Sequence, residues 1–278
     1  MKSLILGMAF LGLVACATAP NKNGLRDVVA PDPGYEPTTL DFEQKLSDSV
    51  LPEIKKTFPA AKALELQELV AGIGNKLLSA DMYNHPQPYR WNFTVFSGPA
   101  KPEVFSLPAG EVFISANLIA HTESEAELAG VISHEIAHVL LKHTTRRIQQ
   151  IRQVNKNWNM VGGGFIGASM GYGMGKVSED PSNGADRWAF LLPTTDQELE
   201  ADSPGLSIAV KAGYDPRYVG RYFQKTLPAK KGNASPQEQA RADLLNAFAN
   251  DKSLKGLVSS GNYEKARQKA RSIAKAKG

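Results

Sequence analysis

Cysteine is nearly absent. Cys16 is the only one in 278 residues, so no intrachain disulfide and no thiolate-rich metal site can form. Histidine is scarce too, with five in the chain, which shortens the roll of imidazoles that a site could draw on. Long apolar runs are missing as well. The stretch Leu4 to Ala15 has twelve residues, against the roughly 20 that a membrane-spanning helix needs. The glycine-rich stretch Val161 to Gly175 lacks a Gly-Lys-Ser/Thr ending, which excludes a phosphate cradle. At fifteen residues it is also short for a span, and it reads as a small-faced helix or a mobile flap near a cleft. A large excess of either charge is lacking overall, at +4, but Ala229 to Gly278 holds eleven Lys or Arg against four acids.

What is present is His134-Glu135-Ile136-Ala137-His138. On a helix, positions i and i+4 share a face, so the two imidazoles can aim at one metal while Glu135 flanks it. Two neutral imidazoles and one general base are what a zinc peptidase uses. Ser124 and Glu127 read as a capping box, and Leu128, Val131, Ile132, Val139 and Leu140 recur at helical spacing. This predicts a helix from about Glu125 to Lys142, with the motif inside it. His143, five residues past His138, falls roughly 140° around that helix and is expected to point away from the metal.

A catalytic zinc takes three protein ligands and keeps a fourth position open; beyond the motif only His85, His121 and His143 remain, and an acidic ligand from another helix is the favoured third. Asp196-Gln197-Glu198-Leu199-Glu200-Ala201-Asp202 supplies candidates. Here the chain resembles a known family. His-Glu-x-x-His followed by Glu-x-x-Ala-Asp is similar to the HtpX-like, CaaX-prenyl-type gluzincin zinc metalloproteases, and within them to the periplasmic BepA-like and LoiP-like outer-membrane members. Glu127 to Ser133, Phe105 to Ile114 and Ala212 to Pro216 resemble further family segments, so the likeness runs from about Glu65 to Leu227.

The resemblance implies that Glu198 is the third ligand, beside His134 and His138, and that one Zn2+ is held per chain. Asp202 returns to the face of Glu198 and fits a supporting role, accepting the free ring N–H of a ligating histidine. Glu135 is then the general base that takes a proton from the attacking water and passes it to the leaving amine. Tyr172, Tyr214, Arg217 and Arg241 are available to stabilise the oxyanion, and nothing ranks them.

The chain also departs from the family pattern. Ser203-Pro204-Gly205 follows Asp202 and suggests a helix that is short or bent there. The strand segment begins Glu103-Val104 where the family has Asn-Ala, and Ser235-Pro236 stands where the family often has His-Pro, with Arg241 following. Val104 to Ile114 reads as two strand pieces or a bulged edge hairpin, in which Phe105, Leu107 and Val112 are candidates for an edge that holds an extended substrate. A plain core hairpin is the other reading, and the two are compatible.

At the N-terminus, Met1-Lys2 is a short basic segment, and Leu13-Val14-Ala15-Cys16 resembles a bacterial lipobox. The expected organisation is a signal peptide at 1–15, a lipidated Cys16 with a proline-rich tether at 16–39, a zinc metalloprotease domain at 40–228 and a basic helical tail at 229–278. Gly261 to Ala274 in that tail looks like the first helix of a tetratricopeptide repeat. The expected fold class is α+β, a mostly helical zincin-like domain with a small β-sheet whose edge strand borders the active site.

The expected function is endopeptidase action on unfolded or misassembled envelope proteins at the periplasmic face of the outer membrane. A lipid anchor would tie the chain to the membrane, and the envelope assembly machinery is a candidate partner. Nucleic-acid binding conflicts with the export signal. A non-enzymatic envelope factor with an inactive site is the alternative, and a Glu135→Gln variant separates the two.

Overall fold

The computed structural model describes residues 38–80, 89–98, 103–147, 193–227, 234–250 and 255–275. The signal peptide, Cys16, nearly all of the tether, Tyr172 and the glycine-rich stretch 161–175 lie outside them. The described elements run α1 (Leu40–Thr57), α2 (Leu64–Ser79), β1 (Asn92–Phe96), β2 (Val104–Ser106), β3 (Glu111–Ser115), α3 (Ala116–His121) and α4 (Glu125–Leu140). Then follow α5 (Thr195–Lys211), α6 (Pro216–Val219), α7 (Arg221–Thr226), α8 (Pro236–Ala249) and α9 (Gly261–Lys275). The molecule is mostly helical with one small sheet, the α+β class that the residues imply.

Helix α4 is the axis of the fold, buried from Glu125 to Val139. A helix that is apolar and small on most sides can be wrapped on most sides, and this one is packed by α2, α5, α6, α7 and the sheet. The Ser124 hydroxyl accepts from Glu127 N–H at 3.1 Å and starts it. The returning arm of the expected capping box lands one residue early, since the Glu127 carboxylate accepts from Glu123 N–H. The helix ends at Leu140, and Lys142 adopts a left-handed φ of 57° before residues 143–147 turn helical again.

Gly205 sets how closely α5 crosses α4. A Cβ there would stand 2.8 Å from His134 Cα and 3.0 Å from His134 N, so only glycine allows this approach. Of the two outcomes that Ser203-Pro204-Gly205 suggests, a short helix is excluded: α5 runs through Pro204 to Lys211. The hydrogen bond that proline forfeits is offset by burial, because every residue from Ala201 to Ala209 is buried.

The sheet has the order β1-β3-β2, with β1 parallel and β2 antiparallel to the central β3. Val112 therefore sits on the centre strand, fully buried and paired with Phe93 and Ser106, and cannot serve as a substrate edge. Leu107 lies just past β2 and is buried with Leu46, Val50, Ile54, Phe96 and Phe113 in a small second core. Of the three candidates, Phe105 alone is on the edge strand β2. It stacks on Phe113 at 5.0 Å between ring centroids.

Past residue 228 the chain folds back on the body. Arg241, Leu245 and Phe248 of α8 are buried, as are Tyr263, Ala266 and Ala270 of α9, and the apolar members of both sets belong to the main core. The Tyr263 hydroxyl also donates to Thr122 O at 2.8 Å. On α9, Lys265, Lys269, Arg271 and Lys275 are exposed, away from the stripe of Tyr263, Ala266 and Ala270 that the body covers. The repeat-like helix α9 thus spends its small-residue face on α3 and α2.

Candidate metal centre

Helix α4 presents His134 and His138 on one face, with Nε2 atoms 2.9 Å apart. Across the α4–α5 crossing, Glu198 sends Oε2 to 3.4 Å from His134 Nε2 and Oε1 to 3.6 Å from His138 Nε2. Three ligand atoms about 2 Å from one ion at tetrahedral angles lie roughly 3.3 Å from each other, so the spacing suits a tetrahedral cation. Among the described residues, these three are the group of His, Cys, Asp or Glu side chains that could hold a metal ion. Two nitrogens and one carboxylate suit zinc among the divalent ions. Both histidines are 3% exposed, whereas the Glu198 side chain is 27% exposed at the mouth of a cleft of about 170 Å³.

Glu135 also lines that cleft, along with Val104, Phe105, Ser106, Arg147 and Phe223. The Ser106 hydroxyl hydrogen-bonds its carboxylate. Burial raises the Glu135 carboxyl to about 7, with His134 opposing, Glu198 adding to the rise and the Ser106 bond pulling down. A carboxylate of that proton affinity is matched to taking and giving protons near neutral pH.

The two imidazoles differ in charge preference. Burial, with the nearby His134 and His143, keeps His138 well below its usual range and hence neutral, the form that ligates. For His134, burial also opposes charge, but Asp202 and Glu198 together outweigh it and lift its affinity for a proton to about 10. Two carboxylates facing one imidazole make a well for a cation. Asp202 Oδ1 lies 3.1 Å from His134 Nδ1, off the line of the ring N–H, so this contact is more electrostatic than directed. Arg241 holds Asp202 in turn, with Nε donating to Oδ2 at 2.6 Å and Nη2 to Oδ1 at 3.1 Å, and Nη2 also lies 3.1 Å from Glu198 Oε2. Burial opposes ionisation of Glu198, but His134 and Arg241 hold its carboxyl below the usual range.

Of the other oxyanion candidates, Tyr214 donates to Glu125 and Arg217 clasps Asp215, and neither lines the cleft. The residue that the helical wheel misplaced is His143. Its Nδ1 lies 2.7 Å from His138 Nδ1, and its Nε2 lies 3.2 Å from Glu200 Oε2. A continuous helix through Lys142 would carry His143 roughly 140° around from His138, but the chain turns left-handed at Lys142. No glycine or asparagine marks that turn in the sequence.

A mostly helical α+β body with two histidines one helical turn apart, a glutamate between them and a second glutamate from a neighbouring helix defines the class of His-Glu-x-x-His metallopeptidases. Residues 64–267 match Peptidase family M48, and the chain belongs to that family. It is similar to the beta-barrel assembly-enhancing protease of Escherichia coli (strain K12), 24% identical over 241 residues that cover 85% of this chain and 47% of that one. The protein of the same name from Yersinia pestis is 23% identical over 202 residues, 72% of this chain and 40% of that one. The mitochondrial metalloendopeptidase OMA1 of Arabidopsis thaliana is 31% identical over 144 residues, 51% of this chain and 27% of that one. The chain spans less than half the length of these relatives.

Proposed function

We propose that the chain is a zinc-dependent endopeptidase of the bacterial cell envelope that cleaves misfolded or unassembled envelope proteins. One observation carries this reading: the Glu135 carboxylate stands beside three convergent ligand atoms in a cleft walled by the edge strand β2. His134, His138 and Glu198 hold the ion, and Asp202 and Arg241 steady His134 and Glu198 from behind. Bound zinc supplies Lewis acidity, which activates water and polarises a carbonyl. Glu135 takes the proton of the attacking water on its carboxylate and delivers it to the leaving amine.

The edge strand suits an extended substrate. Leu107 N–H bonds Glu111 O and Ser115 N–H bonds Glu103 O, so the bonded pairs of the ladder fall at 103/115 and 107/111 and, by alternation, at 105/113. The N–H and C=O groups of Val104 and Ser106 therefore point away from β3, on the side where a peptide can add as a further strand. Such pairing reads backbone rather than side chains, which fits a protease of unfolded chains.

Two features support the envelope setting: the lipobox-like Leu13 to Cys16, and the kinship to proteases named for β-barrel assembly. Cys16 is the proposed point of lipid attachment at the periplasmic face of the outer membrane, and the assembly machinery is the proposed partner. No described helix is long and apolar enough to cross a membrane.

Glu135→Gln tests the core of the reading. The variant is expected to keep one zinc per chain by metal analysis while cleavage of an unfolded protein such as casein falls by about 10²–10⁴-fold. Undiminished cleavage by that variant would overturn the proposal.

A further inference from the structure

A metal-bound imidazole needs its outer nitrogen fixed, and in most sites a carboxylate, a carbonyl or water does this. His134 has Asp202 in that place. His138 has another histidine. We propose that His143 is the positioning residue of His138, locking the tautomer that turns Nε2 to the metal, and that Glu200 and Arg146 lock His143 in turn. The inference rests on the metal-centre reading above.

The proton count allows one arrangement. With the His138 Nε2 lone pair given to a cation, its Nδ1 carries the hydrogen. His143 Nδ1, 2.7 Å away, must then be the acceptor, which leaves the His143 hydrogen on Nε2. That Nε2 faces Glu200 Oε2 at 3.2 Å, an acceptor, and Arg146 Nη1 donates to the same oxygen at 2.7 Å. Each donor meets an acceptor from His138 to Glu200. His143 is 1% exposed, so water does not compete, and Gln197 Nε2 donates to its backbone carbonyl at 3.3 Å.

The chain also ties the two ligand helices together. His143 follows α4, while Gln197 and Glu200 flank Glu198 on α5, so the network that orients His138 is anchored on both sides of the third ligand. Glu200 is thereby assigned a task distinct from that of its neighbour Glu198.

The test uses three replacements in the full chain. Asparagine keeps an acceptor at the place of Nδ1, glutamine keeps a donor at the place of Nε2, and leucine keeps only volume. Zinc affinity is read by competition with a chelator, and cobalt-substituted protein gives an absorption spectrum that reports ligand geometry. His143→Leu and His143→Gln are expected to weaken zinc by about 10–100-fold and to alter the cobalt bands, while His143→Asn stays within a few-fold of wild type. Glu200→Gln, at a half-exposed side chain where misfolding is not a concern, is expected to weaken zinc by a few-fold. Equal losses in His143→Asn and His143→Leu, or wild-type affinity in all the His143 variants, would overturn this inference alone. A wild-type chain that takes up no zinc would overturn the metal centre as well.

Discussion

Arg241 is the best place to perturb the site without touching a proposed ligand. Arg241 is 7% exposed, and its guanidinium forms a two-pronged pair with Asp202, whose side chain is fully buried. Arg241→Met keeps an unbranched side chain and removes the charge, together with the guanidinium carbon that lies 5.8 Å from the Phe223 ring centroid. Removing one partner of a buried pair costs about 3–5 kcal/mol, because the other charge is left uncompensated. His134 faces Asp202 from the other side and, in the metal-free chain, takes a proton readily, which relieves part of that charge. The lower end of the range, about 3 kcal/mol, is therefore expected. For a domain of this size it corresponds to a fall of roughly 6–12 °C in the thermal midpoint. Arg241→Lys keeps the charge but loses the fork, and should fall by about half as much. Pairing Arg241→Met with Asp202→Asn leaves no charge stranded and should recover at least about 1 kcal/mol relative to the sum of the single effects. Calorimetry or urea titration of the metal-free full chain reads these variants and Asp202→Asn alone. A fall below about 2 °C for Arg241→Met, or strict additivity in the double variant, would refute the account of Asp202 as a buried charge that Arg241 neutralises.

Three further outcomes are expected. Gly205→Ala must push α5 away from the His134 backbone, and should cost about 1–3 kcal/mol and weaken zinc together, which chelator competition and melting would show; unchanged values for both would contradict the close crossing. The bond from His143 and the Arg146 guanidinium hold Glu200 at about 2 in the folded chain, against about 4.5 unfolded, with burial opposing. Its contribution is thus present above pH 4.5 and lost as pH falls from 4.5 towards 2. With the side chain 35% exposed, solvent screening leaves about 1 kcal/mol of it, and Glu200→Gln should remove that much of the acid limb in stability measured against pH. Val104→Pro deletes an N–H that faces away from β3, so the fold should stand while KM for an unfolded substrate rises about 5–10-fold, the worth of one hydrogen bond; an unchanged KM would remove β2 as the peptide-binding edge.

How much of this could be read from letters depends on the range of the signal. The helix carrying His134 to His138 was legible because capping and apolar spacing are local. Its end was not, since Lys142 takes a left-handed backbone that its own side chain does not favour and that a contact with Glu43 and Thr38 accompanies. His143 was lost with it. The approach of Glu198 to the two imidazoles came from resemblance and not from periodicity, and Gly205 shows why: the crossing depends on a missing Cβ against a backbone some seventy residues earlier. The edge strand was read as a place but not by face, because Val112 and Phe105 look alike in an apolar run and only the order β1-β3-β2 separates centre from edge. The packing of the tail is hidden for a similar reason. Lysine and arginine dominate its composition, yet the decisive residues are few: Tyr263, Ala266 and Ala270 on one stripe, and Arg241, Leu245 and Phe248 on another.

The late segments matter because α4 is a buried helix that carries charge. Glu125 is met by the Tyr214 hydroxyl and the Ser260 N–H, Glu127 by Lys225, and His134 by Asp202, which Arg241 holds. Apart from the contact between His134 and His138, these partners lie outside α4. Burying any of them alone would cost several kcal/mol, more than the local helix can supply. The partners come from α5, α7, α8 and the loops flanking them, so α4 reaches its buried state only when the chain to about residue 263 has packed around it. The fold and the metal centre share contacts through Asp202 and Arg241, which meet a buried group of the axis and also hold His134 and Glu198 in place.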